Sequence, residues 1–266
     1  MKIAIIGGNR FVGAHLTKIL LDKSHEVTLF NRSASGDKQA KIVKFDRDVD
    51  KIKLNKFDCI VDMCLYSSEQ FELIKKSIPK STRYIFVSSG AVKYKKTFGW
   101  YATEKENIEK ELSKMKLNYV IVRPSYVVGN GNHIMRLAYF ASRLNNGLDI
   151  EINGGVGDYP INLVWVEDVA RCLSKIVMAE DELVENKTYN LCSDESITID
   201  EIIKIMKEEL NIKKHTIKDS LAAVFPKQPF EMDNKRTKTD IRFKFSDMRS
   251  VVKRFTKNWK NENKVS

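Results

Sequence analysis

The sequence is short of cysteine and histidine and has no long apolar run. Its four cysteines, Cys59, Cys64, Cys172 and Cys192, lie scattered among apolar neighbours at none of the spacings that hold a metal. Four histidines do not complete a zinc set with them, so the reading is buried free thiols in a reducing cytoplasm, with no metal. No stretch approaches the roughly 18 apolar residues a membrane span needs. The first residues already read as a strand, and a signal peptide is therefore not expected. Internal repeats and low-complexity tracts are missing as well. What remains is a globular composition: 266 residues, 42% hydrophobic and 30% charged. That length buries a sizeable core as one large domain, or as a nucleotide domain with a modest appendage.

Negative charge is also in deficit. Lys and Arg number 46 against 35 Asp and Glu, a net charge of +11. Much of the excess is C-terminal: from Lys227 to Ser266 there are twelve Lys/Arg and five Asp/Glu, a net of +7. Such a surface attracts nucleic acid or an anionic substrate. No aromatic interleaving accompanies it, so nucleic acid is the weaker partner reading and a small-molecule substrate the stronger.

The most informative stretch is the first. Lys2 to Ile6 is an apolar run closed by Gly7 and Gly8, and a helical pattern opens within a few residues, past Gly13. Paired glycines permit a tight turn, and Gly13 permits close packing of helix on strand or ligand. Free N–H groups and the positive dipole end at the start of that helix suit a pyrophosphate. Gly7, Gly8, Asn9, Arg10, Phe11, Val12 and Gly13 are therefore candidate dinucleotide ligands, with Arg10 where a third glycine is usual.

A second strand, Glu26 to Phe30, ends in Asn31-Arg32-Ser33. A carboxylate there would hold an adenosine ribose and repel a 2′-phosphate; an arginine fork favours that phosphate. The expectation is NADP rather than NAD, with Asn31 and Arg32 as ligands. A third strand, 42–45, delivers Asp46 and Arg47 to the adenine edge, and a fourth, 58–63, places Met63, Cys64 and Leu65 over the cofactor. Ligands in such sheets bind beyond the carboxyl ends of the strands. A fifth, 83–87, brings Ser89 to the same edge, and a sixth, 118–122, is followed by Arg123 and Pro124, the latter near the nicotinamide.

Between the fifth and sixth strands a helix begins at Tyr101, with Lys105 four residues on and so on the same face. An ammonium beside a phenol favours the phenolate, giving an acid/base group for a substrate oxygen. The hydroxyl of Ser89 would donate to that oxygen. Ser89, Tyr101 and Lys105 are the candidate catalytic set. A soft boundary falls near residue 150, dividing an NADP-binding domain (1–150) from a smaller substrate-binding lobe (151–266), either separate from it or interleaved with it. In the second part Thr198 and Glu201 form a capping box before a helix over 199–210, and Asp168 reads as structural.

Together these residues resemble the extended and atypical short-chain dehydrogenase/reductases, the group of the NAD(P)-dependent epimerases and dehydratases. The resemblance rests on Gly7 to Gly13, Val87 to Val92, Tyr101-x-x-x-Lys105, Arg123-Pro124 and Val164 to Ala170. It implies an α/β fold: a Rossmann-type doubly wound parallel sheet with a small C-terminal lobe. It implies Tyr101 as general acid/base, Lys105 as its tuner and a ribose ligand, and Ser89 as the hydroxyl orienting the substrate. Three departures stand out. Arg10 replaces a glycine, a variant of the branch holding plant chloroplast RNA-binding relatives. Only eleven residues separate Ser89 from Tyr101. Ile161 stands where nucleotide-sugar enzymes often place an arginine. The expected function is an NADP-dependent oxidoreductase or epimerase/dehydratase-like enzyme, monomer or homodimer, acting on a carbonyl or secondary alcohol. The alternatives are an RNA-binding member of the fold and a non-catalytic NADP-binding regulator.

Overall fold

The computed structural model describes residues 1–132, 134–221 and 223–263. Along the chain run β1 (Lys2–Ile6), α1 (Phe11–Asp22), β2 (Glu26–Asn31), β3 (Lys41–Lys44), β4 (Cys59–Asp62), α2 (Ser68–Ile74), β5 (Arg83–Val87), α3 (Lys95–Lys114) and β6 (Tyr119–Pro124). There follow β7 (Tyr126–Val128), α4 (Arg136–Asn145), β8 (Ile150–Ile152), β9 (Pro160–Ile161), β10 (Leu163–Trp165), α5 (Val166–Met178), α6 (Asp181–Val184) and β11 (Lys187–Leu191). The last elements are β12 (Ile197–Thr198), α7 (Ile199–Leu210), β13 (Ile217–Asp219), α8 (Lys235–Ile241) and α9 (Met248–Glu262). Where one boundary near residue 150 was expected, contacts sort the chain into two compact units, each built from several segments. The first is 1–125, 166–191 and 234–244; the second is 126–165, 192–233 and 245–266.

The first unit holds a seven-stranded parallel sheet in the order β11-β6-β5-β4-β1-β2-β3. Its central strands β1, β4 and β5 read as nearly unbroken apolar runs because both faces are covered. On one face Ala4, Ile6, Ile60, Tyr84 and Phe86 join Phe71 and Ile74 of α2 and Ile108 and Leu112 of α3 in one core. α1 and α5 pack against each other. Arg83 is buried at the start of β5 and closes the end of α5: its guanidinium donates to the carbonyls of Ile176 (2.8 Å), Val177 (2.9 Å) and Ala179 (2.7 Å) and pairs with Asp181. The sheet order reverses direction beside β1, and this places the ends of β1 and β4 at a topological switch point.

The second unit has three two-stranded pairs, β10-β7, β12-β9 and β13-β8, and the helices α4, α7 and α9. The expected strand over 161–165 is two strands, broken at Asn162, whose side-chain oxygen accepts from the Met232 N–H at 2.6 Å. α7 buries Ile199, Ile202, Ile203, Met206 and Leu210, a helical spacing, behind the Thr198–Glu201 capping box. α9 starts at Asp247, which accepts from the Ser250 N–H at 2.8 Å, and buries Met248, Val251, Val252 and Phe255.

The basic side of α9 is largely neutralised within this unit. Lys253 and Lys257 pair with Glu209, Arg249 pairs with Glu195 and Glu201, and Arg254 lies 5.1 Å from the centre of the Trp165 ring. Four of the twelve basic residues in 227–266 are engaged in this way. Among the described residues no helix is long and apolar enough to cross a membrane, and none of their His, Cys, Asp or Glu groups could hold a metal.

Candidate functional site

The turn after β1 has no room for side chains at two of its glycines. A Cβ on Gly13 would stand 2.5 Å from the carbonyl oxygen of Gly7 and 2.7 Å from the Cα of Gly8. A Cβ on Gly8 would meet the Leu29 side chain at 2.7 Å. Gly7 adopts φ +89, a left-handed conformation that glycine takes without cost. The turn opens on a cavity of about 320 Å3. Of the expected cofactor ligands, Gly7, Asn9, Arg10, Asn31, Arg32, Asp46, Arg47 and Cys64 line it. Gly8 and Gly13 shape its turn from behind, while Phe11, Val12, Met63, Leu65, Lys105 and Pro124 are not in its wall. Asn31 faces partly away: its amide donates to the Ser35 carbonyl at 3.1 Å.

Beneath the cavity runs a polar link invisible at the level of sequence. Arg47, 5% exposed, reaches from the end of β3 to Asp62 at the end of β4, Nη2 to Oδ1 at 2.5 Å, and Asp62 is fully buried. The Tyr84 hydroxyl donates to the other carboxylate oxygen at 2.8 Å. Nε and Nη1 of Arg47 are buried without a hydrogen-bond partner among the described residues. Burial pushes up the Tyr84 hydroxyl and the Cys64 thiol, so both stay protonated.

The candidate catalytic helix starts earlier than expected, at Lys95, and is interrupted at Gly99 (φ 49, ψ −127). Tyr101 and Lys105 lie on the continuous part. Lys105 is 1% exposed, and Nζ donates to the carbonyls of Leu65 (2.7 Å) and Val87 (3.0 Å). Three rings surround it, with centres at 4.9 Å (Phe86), 5.0 Å (Tyr66) and 5.8 Å (Tyr101). Burial lowers its pKa to about 8, against the opposing pull of Asp62, Cys64 and Glu109. Ser89, two residues past Val87, accepts from the Ala91 N–H at 3.2 Å and keeps its own hydroxyl proton to donate. The structure thus gathers Lys105 and Tyr101 with the carbonyl end of β5, from which Ser89 follows.

Sequence reasoning missed Asp62, Tyr66, Ser88 and Glu109. Only Asp62 carried a usable signal, a carboxylate closing an otherwise apolar buried strand. Asp168 is fully buried and ion-paired with Arg171, consistent with a structural role.

Seven parallel strands around a switch point, with helices on the sheet and a glycine turn at its centre, define a Rossmann-type doubly wound α/β protein. Comparison with known proteins narrows this. Residues 71–192 match the family model described as the NAD dependent epimerase/dehydratase family. A curated relative is the chloroplast stem-loop binding protein of 41 kDa b of Arabidopsis thaliana, 29% identical over 236 residues. That match takes in 76% of this chain, which spans only 61% of the relative's length. Among solved structures, UDP-glucose 4-epimerase of Thermotoga maritima, crystallised with UDP-glucose, superposes with a TM-score of 0.79 at 18% identity, over 99% of this chain and 100% of that one. UDP-glucuronic acid 4-epimerase of Bacillus cereus, with UDP-glucuronic acid and NAD, gives 0.78 at 15% identity, over 99% and 100%.

The expectation of NADP is overturned by these relatives: the Bacillus cereus enzyme holds NAD, in two separate structures. The local reason is visible. Arg32 and Arg10 do line the cavity, but Asp46 and Asp48 line it too, and their carboxylates oppose a further phosphate.

Proposed function

We propose that the protein is an NAD-dependent enzyme of the epimerase/dehydratase type, acting on a secondary alcohol or the matching ketone of a sugar-like small molecule. The observation that carries this reading is Lys105, a buried ammonium held by two backbone carbonyls beside the Tyr101 ring. A lysine is almost never buried so fully without a task.

The residues fit the dinucleotide. The Gly7–Gly13 turn leaves its helix start open to phosphate, and the orphaned Nε and Nη1 of Arg47 offer donors in the wall of the cavity. When bound, NAD supplies a nicotinamide that takes a hydride from the substrate carbon and can return it. Tyr101 would accept the proton of the substrate hydroxyl and give it back. The third N–H of Lys105, left over after its two carbonyl bonds, stabilises the tyrosine oxygen in its charged form. The Ser89 hydroxyl donates to the same substrate oxygen and fixes its orientation.

The test is an equilibrium titration with NADH, followed by nicotinamide fluorescence, in wild type and Gly13→Ala. The wild type should bind and the variant should lose at least about tenfold in affinity, since the added methyl meets backbone rather than a side chain that can move. A screen of sugar-type ketones and alcohols follows, with Tyr101→Phe as the inactive control. A wild type that binds no NADH would sink the reading.

A further inference from the structure

Tyr101 and Lys105 occupy the first two of three positions, spaced by four, on the inner face of α3; the third is Glu109. Glu109 is 5% exposed, and its carboxylate is saturated by groups from two other elements. Oε1 accepts from the Ser88 hydroxyl at 2.5 Å and from Arg123 Nε at 2.9 Å, and Oε2 accepts from Arg123 Nη2. Ser88 follows β5 directly and precedes Ser89; its N–H donates to the Val122 carbonyl at 2.8 Å. Arg123 is the penultimate residue of β6.

Two consecutive residues at the end of β5 are therefore gripped by two consecutive turns of α3: the Val87 carbonyl by Lys105, the Ser88 hydroxyl by Glu109. Ser89 is the next residue, and its place relative to Tyr101 follows from those two grips. The same carboxylate stands one turn beyond the buried Lys105 ammonium on the same helix face.

Resting on the proposed reading of the Ser89, Tyr101 and Lys105 set, we propose that Glu109 is a positioning residue of that site. It clamps the Ser88–Ser89 turn and the end of β6 to the catalytic helix and helps hold the positive charge on Lys105. The groups facing Lys105 are Asp62 and Cys64 from β4 and the turn after it, Arg47 from the end of β3, the rings of Tyr66, Phe86 and Tyr101, and Glu109 from α3. Asp62 and Glu109 favour the ammonium, and Arg47 and burial oppose it. Removal of the Glu109 charge therefore shifts the balance toward the neutral amine.

The test uses full-length protein labelled with lysine carrying carbon-13 at Cε, titrated by NMR, together with amide hydrogen exchange over residues 86–92. In the wild type one lysine should titrate near pH 8, and its signal should vanish in Lys105→Met. In Glu109→Gln, which keeps size and part of the hydrogen bonding, that midpoint should fall by about half a unit to one unit. Exchange over 88–91 should speed up about tenfold. Ser88→Ala, which removes one grip and no charge, should speed the exchange while leaving the midpoint in place. A merely structural glutamate would not produce that separation. A midpoint and an exchange pattern both unmoved in Glu109→Gln would overturn the inference alone. A wild type with no lysine titrating near pH 8 would overturn it together with the reading of Lys105 beneath it, and the NADH titration would then show whether the cofactor site survives.

Discussion

Asp62→Leu would strip the counter-charge from a nearly buried guanidinium. Arg47 is 5% exposed and Asp62 fully buried, with 2.5 Å between Nη2 and Oδ1. Breaking a buried pair from one side leaves an uncompensated charge and costs about 3–5 kcal/mol, whereas replacing both partners by apolar groups of similar size is often close to neutral. Asp62→Leu and Arg47→Met should thus each cost about 3–5 kcal/mol. The double variant should cost only about 1–3 kcal/mol, the price of the Tyr84 hydroxyl left without its acceptor. Adding Tyr84→Phe removes that orphan and should recover most of the remainder. Urea denaturation followed by circular dichroism measures all four, with the midpoints compared at constant slope. The reasoning fails if the double variant loses as much as the two single variants added together, because the pair would then contribute through packing and not through charge.

Three further outcomes follow from groups already described. Arg83→Met should cost about 2–4 kcal/mol, since it leaves the Ile176, Val177 and Ala179 carbonyls at the end of α5 without their shared donor; a loss under about 0.5 kcal/mol in the same denaturation assay would contradict the clamp. Lys105 has a folded-state pKa of about 8 against the usual 10.5. Between those values the unfolded chain binds more protons than the native one, so its contribution to stability rises with pH across that window. Lys105→Met should therefore compare better with wild type at pH 7 than at pH 10 in thermal melts, and parallel curves would refute the burial argument. Lys253→Gln with Lys257→Gln should lower stability by no more than about 1 kcal/mol per ion pair. The same pair of changes should leave any affinity for a stem–loop RNA unaltered in fluorescence anisotropy; a large loss would return α9 to consideration as a nucleic-acid surface.

The features legible in the sequence were those governed by neighbours along the chain. The Thr198–Glu201 box needs only four consecutive residues, and it forms. The strand over 83–87 is bounded by polar residues and has the bounds expected of it. The glycine turn declared itself because only small residues fit where strand and helix backbones touch. Contacts between distant positions left no such trace. Arg47 and Asp62 are fifteen residues apart, and Ser88 and Glu109 twenty-one; read singly, each is an ordinary polar residue beside a strand or on a helix. Nor does the order of residues reveal that Arg47 turns inward while Arg32, fifteen positions earlier, stays exposed at the cavity rim. The cofactor preference went astray for a related reason: the end of β2 was read without the carboxylates that β3 brings beside it. Residues 225–246, with little periodicity, conceal α8, whose Thr237 hydroxyl donates to the Asn190 carbonyl at 2.7 Å.

The seventh strand has a consequence for synthesis on the ribosome. β11 is added to β6 only after sixty-two intervening residues, 125–186, have been made. At about 5–20 residues per second, the free edge of β6 stays unpaired for roughly 3–12 s after it emerges. That edge carries Val120, Ile121 and Val122, an apolar stretch that meets its first charge only at Arg123. The nascent chain is thus most vulnerable to edge-to-edge association while its central strands are already complete. Codon choice or chaperone access over 125–186 would then change the yield of soluble protein without changing one contact of the folded state.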